Sequence, residues 1–298
     1  MKQKVALVLG SGGARGIAHI GVIHELVKHG YEISSISGTS MGSLVGGIYA
    51  AGKLNEYETW LRSLSKIDIF NLVDFTFSTN GLIKADRVLK EIQKFIPDQN
   101  IEDLPIKFTA VATDLYLKKE VVITEGSLFE AIRASISIPM LITPLLRRDT
   151  LFVDGGVLNP IPVNRVFRQE DDILIAVNVN AQIPYKKQIV DMNQNWLYFE
   201  KLTNSKLGGF QEKLSKLFPE NKNANMGYFD LIGATARLML AQISRLTLVI
   251  NPPDILIEVS REACGTFDFY KAVELIELGE ESTQEGIKEF MNKKTNDD

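Results

Sequence analysis

Ser40 sits in Gly38-Thr39-Ser40-Met41-Gly42, between an apolar run and the helix-like Ser43-Leu44-Val45-Gly46-Gly47. This fits G-x-S-x-G, which holds a serine hydroxyl exposed on a tight strand-to-helix turn where side chains two positions away would clash. A serine so placed is a candidate nucleophile; the plainer reading is a helix N-cap. A nucleophilic serine needs a base. All three histidines, His19, His24 and His29, precede Ser40 and recur every five residues. At about 100° per residue they point in different directions from one helix, so they form no metal-binding face. A histidine base would need an unusual packing arrangement, and carboxylates are the remaining candidates. Asp154 is the best of them, because it follows Leu151-Phe152-Val153 and precedes Gly155-Gly156. That address predicts a strand end where other loops approach closely. In a parallel sheet this end lies on the same edge as the Ser40 turn. Asp114, in Val111-Ala112-Thr113-Asp114, has a similar address without the glycines.

A second glycine cluster, Gly10-Ser11-Gly12-Gly13-Ala14-Arg15-Gly16, follows the first apolar run. Counted from Gly10, a dinucleotide fingerprint fails at Arg15, and no acidic residue ends the second strand. No Gly-Lys-Ser/Thr follows either, so a phosphate loop is excluded. What the cluster offers is several backbone N–H groups at a helix N-terminus, suited to a developing oxyanion, with Arg15 adding positive charge beside them.

These residues need a frame to hold them. Strand-like runs at Val5–Leu9, Ile33–Ser37, Phe108–Thr113, Val121–Thr124, Leu151–Val153, 172–180 and Ile255–Glu258 alternate with helical patterns. The alternation predicts a three-layer α/β/α fold with a mostly parallel central sheet. One domain is expected over 1–298, with a helical insertion or lid at 181–225. That segment sets Trp196, Phe199, Leu202 and Phe210 among lysines. It fits either helices packed on the core or a contact with a membrane surface. Residues 229–250 are long enough to span a bilayer, but Asp230, Arg237, Gln242 and Arg245 interrupt them, which predicts a largely buried helix.

The chain of 298 residues is 45% hydrophobic and 23% charged, with a net charge of −4, which argues against nucleic acid as a partner. Cys264 is the sole cysteine, so no intramolecular disulfide or cysteine-rich metal site forms. The N-terminal apolar run is five residues long and leads into the glycine loop. It reads as a strand and not as a signal peptide, so a cytoplasmic location is expected.

Taken together, Gly10–Gly16, Gly38–Gly42 and Asp154-Gly155-Gly156, in this order, resemble the patatin-like phospholipase family. The stretches "NGLIKADRVLKEI", "AIRASISIP" and "GTFDFYKAVELIELG" add to the likeness. It covers most of 1–180 and 250–285. The resemblance implies a Ser–Asp dyad, with Ser40 as nucleophile and Asp154 as base. It also implies an oxyanion site at the N–H groups around Gly12 and Gly13, with Arg15 in the family's basic position. Aligned to end at Gly16, the family's glycine pattern begins here at Ser11. Hydrolysis of a phospholipid, lysophospholipid or other long-chain ester is the implied activity. It needs no metal or organic cofactor and brings peripheral contact with the inner face of a membrane. A non-catalytic scaffold with this fold and a nucleotide-binding oxidoreductase are the rival readings.

Overall fold

The computed structural model describes residues 2–72, 74–78, 81–185 and 228–297. The chain divides into a larger unit, Met1–Pro184 with Ile243–Asp298, and a smaller one, Tyr185–Gln242. Of the expected insertion at 181–225, residues 186–225 lie outside the described residues, including Trp196, Phe199, Leu202 and Phe210.

The larger unit is built on an eight-stranded sheet. Strands β1 (Lys4–Leu9), β2 (Glu32–Thr39), β5 (Lys107–Asp114), β9 (Ile173–Ala181) and β10 (Ile255–Ser260) run parallel in the order β10-β9-β1-β2-β5. Two strands run against this direction. Strands β6 (Lys119–Ile123) and β8 (Thr150–Asp154) are antiparallel to β5, and β7 (Leu145–Arg147) is antiparallel to β8. A separate hairpin, β3 (Asp74–Ser78) with β4 (Gly81–Lys84), stands apart from this sheet. The chain leaves β1 toward β2 on one side, while β9 and β10 lie on the other. The loop after β1 therefore opens at a topological switch point, where α/β sheets bind ligands.

Period-two alternation decides what each face of the sheet meets. Ala6, Val8, Leu174 and Ala176 pack on one face with Ile161, Val163 and Leu248. On the other face Leu9 meets α2 (Met41–Ala50) at Gly46. Helices α1 (Ala18–Lys28) and α8 (Ala272–Asp297) pack closely on each other. A Cβ on Gly21 would stand 1.9 Å from the Ile276 carbonyl oxygen, and one on Gly279 2.0 Å from that of Ala18. Helices α3 (Leu54–Ser63), α4 (Lys66–Leu72), α5 (Asp86–Gln93) and α6 (Leu128–Ser135) complete this part of the chain.

Helix α7 (Tyr228–Ile250) corrects one expectation. It is a helix, but it is not largely buried. Within 231–250 only Ser244 is buried, and Leu238, Met239, Val249 and Ile250 are all more than half exposed. Apolar content alone does not say which stripe of a helix meets the core. Here Leu248 packs on the sheet, while Val249 and Ile250 remain exposed. Among the described residues no helix is long and apolar enough to cross a membrane.

Candidate active site

Strand β2 ends at Thr39, and Ser40 follows with φ 56° and ψ −124°, a conformation that L-residues seldom adopt. Its surroundings hold it there. The Ser40 amide donates to Ser135 Oγ at 2.9 Å, and that hydroxyl donates on to the Val111 carbonyl at 2.6 Å. The Ser40 carbonyl accepts from the amides of Ser43 and Leu44 and from the Ser43 hydroxyl, at 2.9, 3.1 and 2.7 Å. Glycine is required on both sides of the turn. A Cβ on Gly38 would lie 2.4 Å from the Gly42 carbonyl oxygen, and one on Gly42 would lie 2.0 Å from that of Leu9. The serine turn is thus pressed directly against the end of β1.

Asp154 arrives by a different route from the one expected. Its strand is antiparallel to β5, so parallel strand ends do not explain its position. Register does. Residues 107–111 of β5 pair with β2, and residues 110–114 pair with β6, so β2 and β6 occupy opposite edges of β5. Residues 112–114 pair with both β6 and β8, which puts β8 on the edge that β2 has just left. Thr39 stands opposite Val111 and Asp154 opposite Ala112. The two strands therefore run head to head along one edge, and their last residues meet. Gly155 permits this, because a Cβ there would lie 2.2 Å from the Val111 carbonyl oxygen.

The Asp154 carboxyl is 5% exposed, and burial raises its pKa from 3.8 to about 6. Hydrogen bonding from the Ser40 side chain and from the Gly156 amide works against that rise. The Gly156 amide donates to Oδ1 at 2.7 Å. Among the described residues Oδ2 closes no hydrogen bond of normal length and angle. The Ser40 hydroxyl and the carboxylate therefore face each other in loose contact, short of a formed bond. Backbone bonds fix the rest of the residue: its amide donates to the Ser137 carbonyl at 2.9 Å, and its carbonyl accepts from the Thr113 hydroxyl at 3.2 Å.

The glycine loop lies against both. A Cβ on Gly16 would lie 2.4 Å from Met41 Cβ, and one on Gly156 would lie 3.2 Å from Ser11 Oγ. Three of the loop amides are already bound: Gly10 to Val177, Ser11 to Pro160 and Ala14 to Thr266, at 3.1, 2.8 and 2.9 Å. Among the described residues the Gly12 and Gly13 amides donate to no protein acceptor. Gly13 has φ +57°, which favours glycine, and a Cβ on Gly12 would sit 2.2 Å from Val179 Cγ2. Arg15 donates from Nε to Asn180 Oδ1 at 3.1 Å and from Nη1 to the Cys264 carbonyl at 2.7 Å. It ties the loop to the end of β9 and to the segment before α8.

The histidines are engaged elsewhere. His19 is fully buried and donates from Nε2 to the Gly10 carbonyl at 2.8 Å. Burial lowers its pKa to about 4, so it is neutral. His24 faces Glu58 at 3.2 Å, and His29 faces Glu25 at the same distance. Asp114 uses Oδ1 to accept from the amides of Tyr116 and Leu117, closing the β5–β6 turn.

Three contributors escaped the sequence reading. Ser135 holds the Ser40 amide, the Asn159 carbonyl accepts from the Thr39 hydroxyl at 2.9 Å, and Asn180 anchors Arg15. Ser135 lies in "AIRASISIP", where serines alternate with apolar residues after a helix. That pattern marks the stretch but not its partner.

The family model for patatin-like phospholipase matches residues 7–167. An uncharacterised NTE family protein of Mycobacterium tuberculosis is 33% identical over a 331-residue alignment, which covers 96% of this chain and 92% of that protein. The lysophospholipase NTE1 of Kluyveromyces lactis is 29% identical over 295 residues, covering 93% of this chain and 19% of that protein. The crystal structure of VipD from Legionella pneumophila aligns with a TM-score of 0.47 at 13% identity, over 97% of this chain and 67% of that one.

Proposed function

The chain belongs to the patatin-like phospholipase family, and we propose that it is a lipid acyl hydrolase in which Ser40 attacks the ester and Asp154 is its base. The observation that carries this reading is the head-to-head meeting of β2 and β8, which sets a buried carboxylate against the hydroxyl of a strained serine. A free carboxyl, with a pKa of about 3.9, is a weak base. At about 6 the Asp154 carboxyl is still ionised near neutral pH and holds a proton far better.

This reading implies the following steps. Asp154 takes the hydroxyl proton as Ser40 Oγ bonds to the ester carbonyl carbon. The carbonyl oxygen becomes an oxyanion, and the unpaired amides of Gly12 and Gly13 donate to it. One such donor is worth about 3–4 kcal/mol of barrier. Asp154 returns the proton to the departing alcohol, leaving an acyl-serine. Water then attacks the acyl carbon, Asp154 again takes the proton, and the fatty acid leaves as Ser40 recovers its hydrogen. Arg15 and His19 support these steps by fixing the loop, through Asn180, Cys264 and Gly10.

A phospholipid, a lysophospholipid or another long-chain ester is the substrate class this supports, with contact at a membrane surface. The relative named as a lysophospholipase argues for the second of these. The test is fatty acid release from lysophospholipid and phospholipid dispersions, beside a short p-nitrophenyl ester. Ser40→Ala and Asp154→Asn should each abolish all three activities with the fold intact. Full activity in folded Asp154→Asn would refute the dyad.

A further inference from the structure

Two hairpins project past the dyad at the same end of the sheet. In the first, β5 turns into β6 through Leu115-Tyr116-Leu117-Lys118, with Asp114 opposite Lys119. In the second, β7 turns into β8 through Arg148-Asp149, with Arg147 opposite Thr150. They lie side by side, since the Leu115 amide donates to the Leu151 carbonyl at 2.9 Å. Leu115 lies three residues beyond Ala112, the partner of Asp154, so at about 3.3 Å per residue the tips begin roughly 10 Å past the dyad.

Their composition runs against what a solvated turn requires. Leu115, Tyr116 and Leu117 are 49%, 59% and 64% exposed, and Leu146 beside them is 62% exposed. Lys118, Lys119, Arg147 and Arg148 are exposed around these side chains, against Asp149 alone within the two turns. Arg147 also pairs with Glu130 at 2.8 Å. This basic cluster belongs to a chain whose net charge is −4. Asp114 is buried and committed to the turn, so its charge is withdrawn from the surface.

Backbone strain singles out the same places. Among the described residues four non-glycines have positive φ: Ser40, Lys118, Met140 and Arg148. Lys118 (φ 55°) and Arg148 (φ 52°) fall one in each hairpin turn. Glycine ordinarily fills such positions, and a larger side chain there is under strain. A basic side chain stands at a position that favours glycine in both turns, which points to a use for its charge.

We propose that these paired hairpins are the face by which the protein docks on an anionic lipid surface. The exposed leucines and Tyr116 enter the head-group boundary, and Lys118 and Arg148 meet lipid phosphates. Apolar groups of this kind enter the boundary by roughly 5–10 Å. The dyad, roughly 10 Å behind the tips, then stands at head-group level, close to the ester it cleaves. This inference rests on the reading of the chain as a lipid hydrolase, and it assigns that activity a membrane contact made by the sheet's own hairpins.

The test is co-sedimentation of the full chain with vesicles of phosphatidylglycerol and phosphatidylcholine in equal parts, and with phosphatidylcholine alone. Lys118→Gly and Arg148→Gly remove charge and relieve the turn together. Each should weaken binding to the anionic vesicles about 5-fold, and the pair about 25-fold. The same variants should melt no lower than the wild type and hydrolyse a soluble short-chain ester at the wild-type rate. The Tyr116→Ser, Leu117→Ser double variant should weaken binding to both kinds of vesicle. Wild-type vesicle binding in both double variants would overturn the proposal, and so would absence of anionic-vesicle binding in the wild type, the outcome expected if a protein covers these tips. Sedimentation does not depend on turnover. If the wild type binds vesicles but cleaves no ester, the hydrolase reading fails and the docking face stands.

Discussion

Asp154→Asn should raise the stability of the protein while abolishing its turnover. Burial lifts the carboxyl from 3.8 to about 6, so the folded chain holds this proton more tightly than the unfolded chain does. The associated stability is complete below the unfolded value, near pH 4, and is lost as the pH rises through 6. Above that the fold carries a carboxylate stripped of water. The rise from 3.8 to about 6 amounts to about 3 kcal/mol. Asparagine is nearly isosteric, still accepts from the Gly156 amide and carries no charge. Denaturant unfolding near pH 8 should therefore show the variant about 3 kcal/mol more stable than the wild type. The gap should close as the pH falls toward about 4, where aspartic acid is neutral in both states. A variant less stable than the wild type near pH 8, or a gap that ignores pH, would refute the placement of a desolvated carboxyl at the serine.

Other consequences are simpler. With Asp154 as base, kcat/KM for a soluble ester should fall tenfold per pH unit below about 6 and level off above it; a profile flat down to about pH 4 would contradict this. Gly12→Ala forces its Cβ onto Val179 Cγ2, and it should lower kcat about 10²–10³-fold with KM little changed. A rise in KM alone would assign the loop to ground-state binding. Ser40→Gly relieves the positive φ, so by thermal unfolding it should be inactive yet roughly 1 kcal/mol more stable than Ser40→Ala. Ser135→Ala leaves the buried Ser40 amide and the Val111 carbonyl without their shared partner. It should lower stability by about 1–3 kcal/mol and slow turnover without changing its pH dependence.

Much of this site is written in glycine. Gly38, Gly42, Gly12 and Gly155 stand where a Cβ would strike backbone or a packed side chain, and a requirement of that kind shows in a sequence as a fixed residue at a fixed spacing. The parallel strands β1 and β9 were legible for a related reason, since strands covered on both faces are apolar over most of their length. The direction of β8 was not. Its five residues read the same either way, and only three of them pair with β5, so a pairing made far away in the chain decides its sense. Ser135 was hidden because its partners, the Ser40 amide and the Val111 carbonyl, are backbone groups that leave no trace in composition. For α7, apolar content predicted burial, while within 231–250 most of the large apolar side chains are exposed.

The most direct test of the central claim is the rate and position of fluorophosphonate labelling, read by peptide mass in the wild type and in Asp154→Asn. The geometry predicts one adduct, on Ser40, formed about 10²–10⁴-fold more slowly when the carboxylate is gone, the usual worth of a positioned base. An adduct on another residue, or labelling of Ser40 at the wild-type rate in Asp154→Asn, would contradict it.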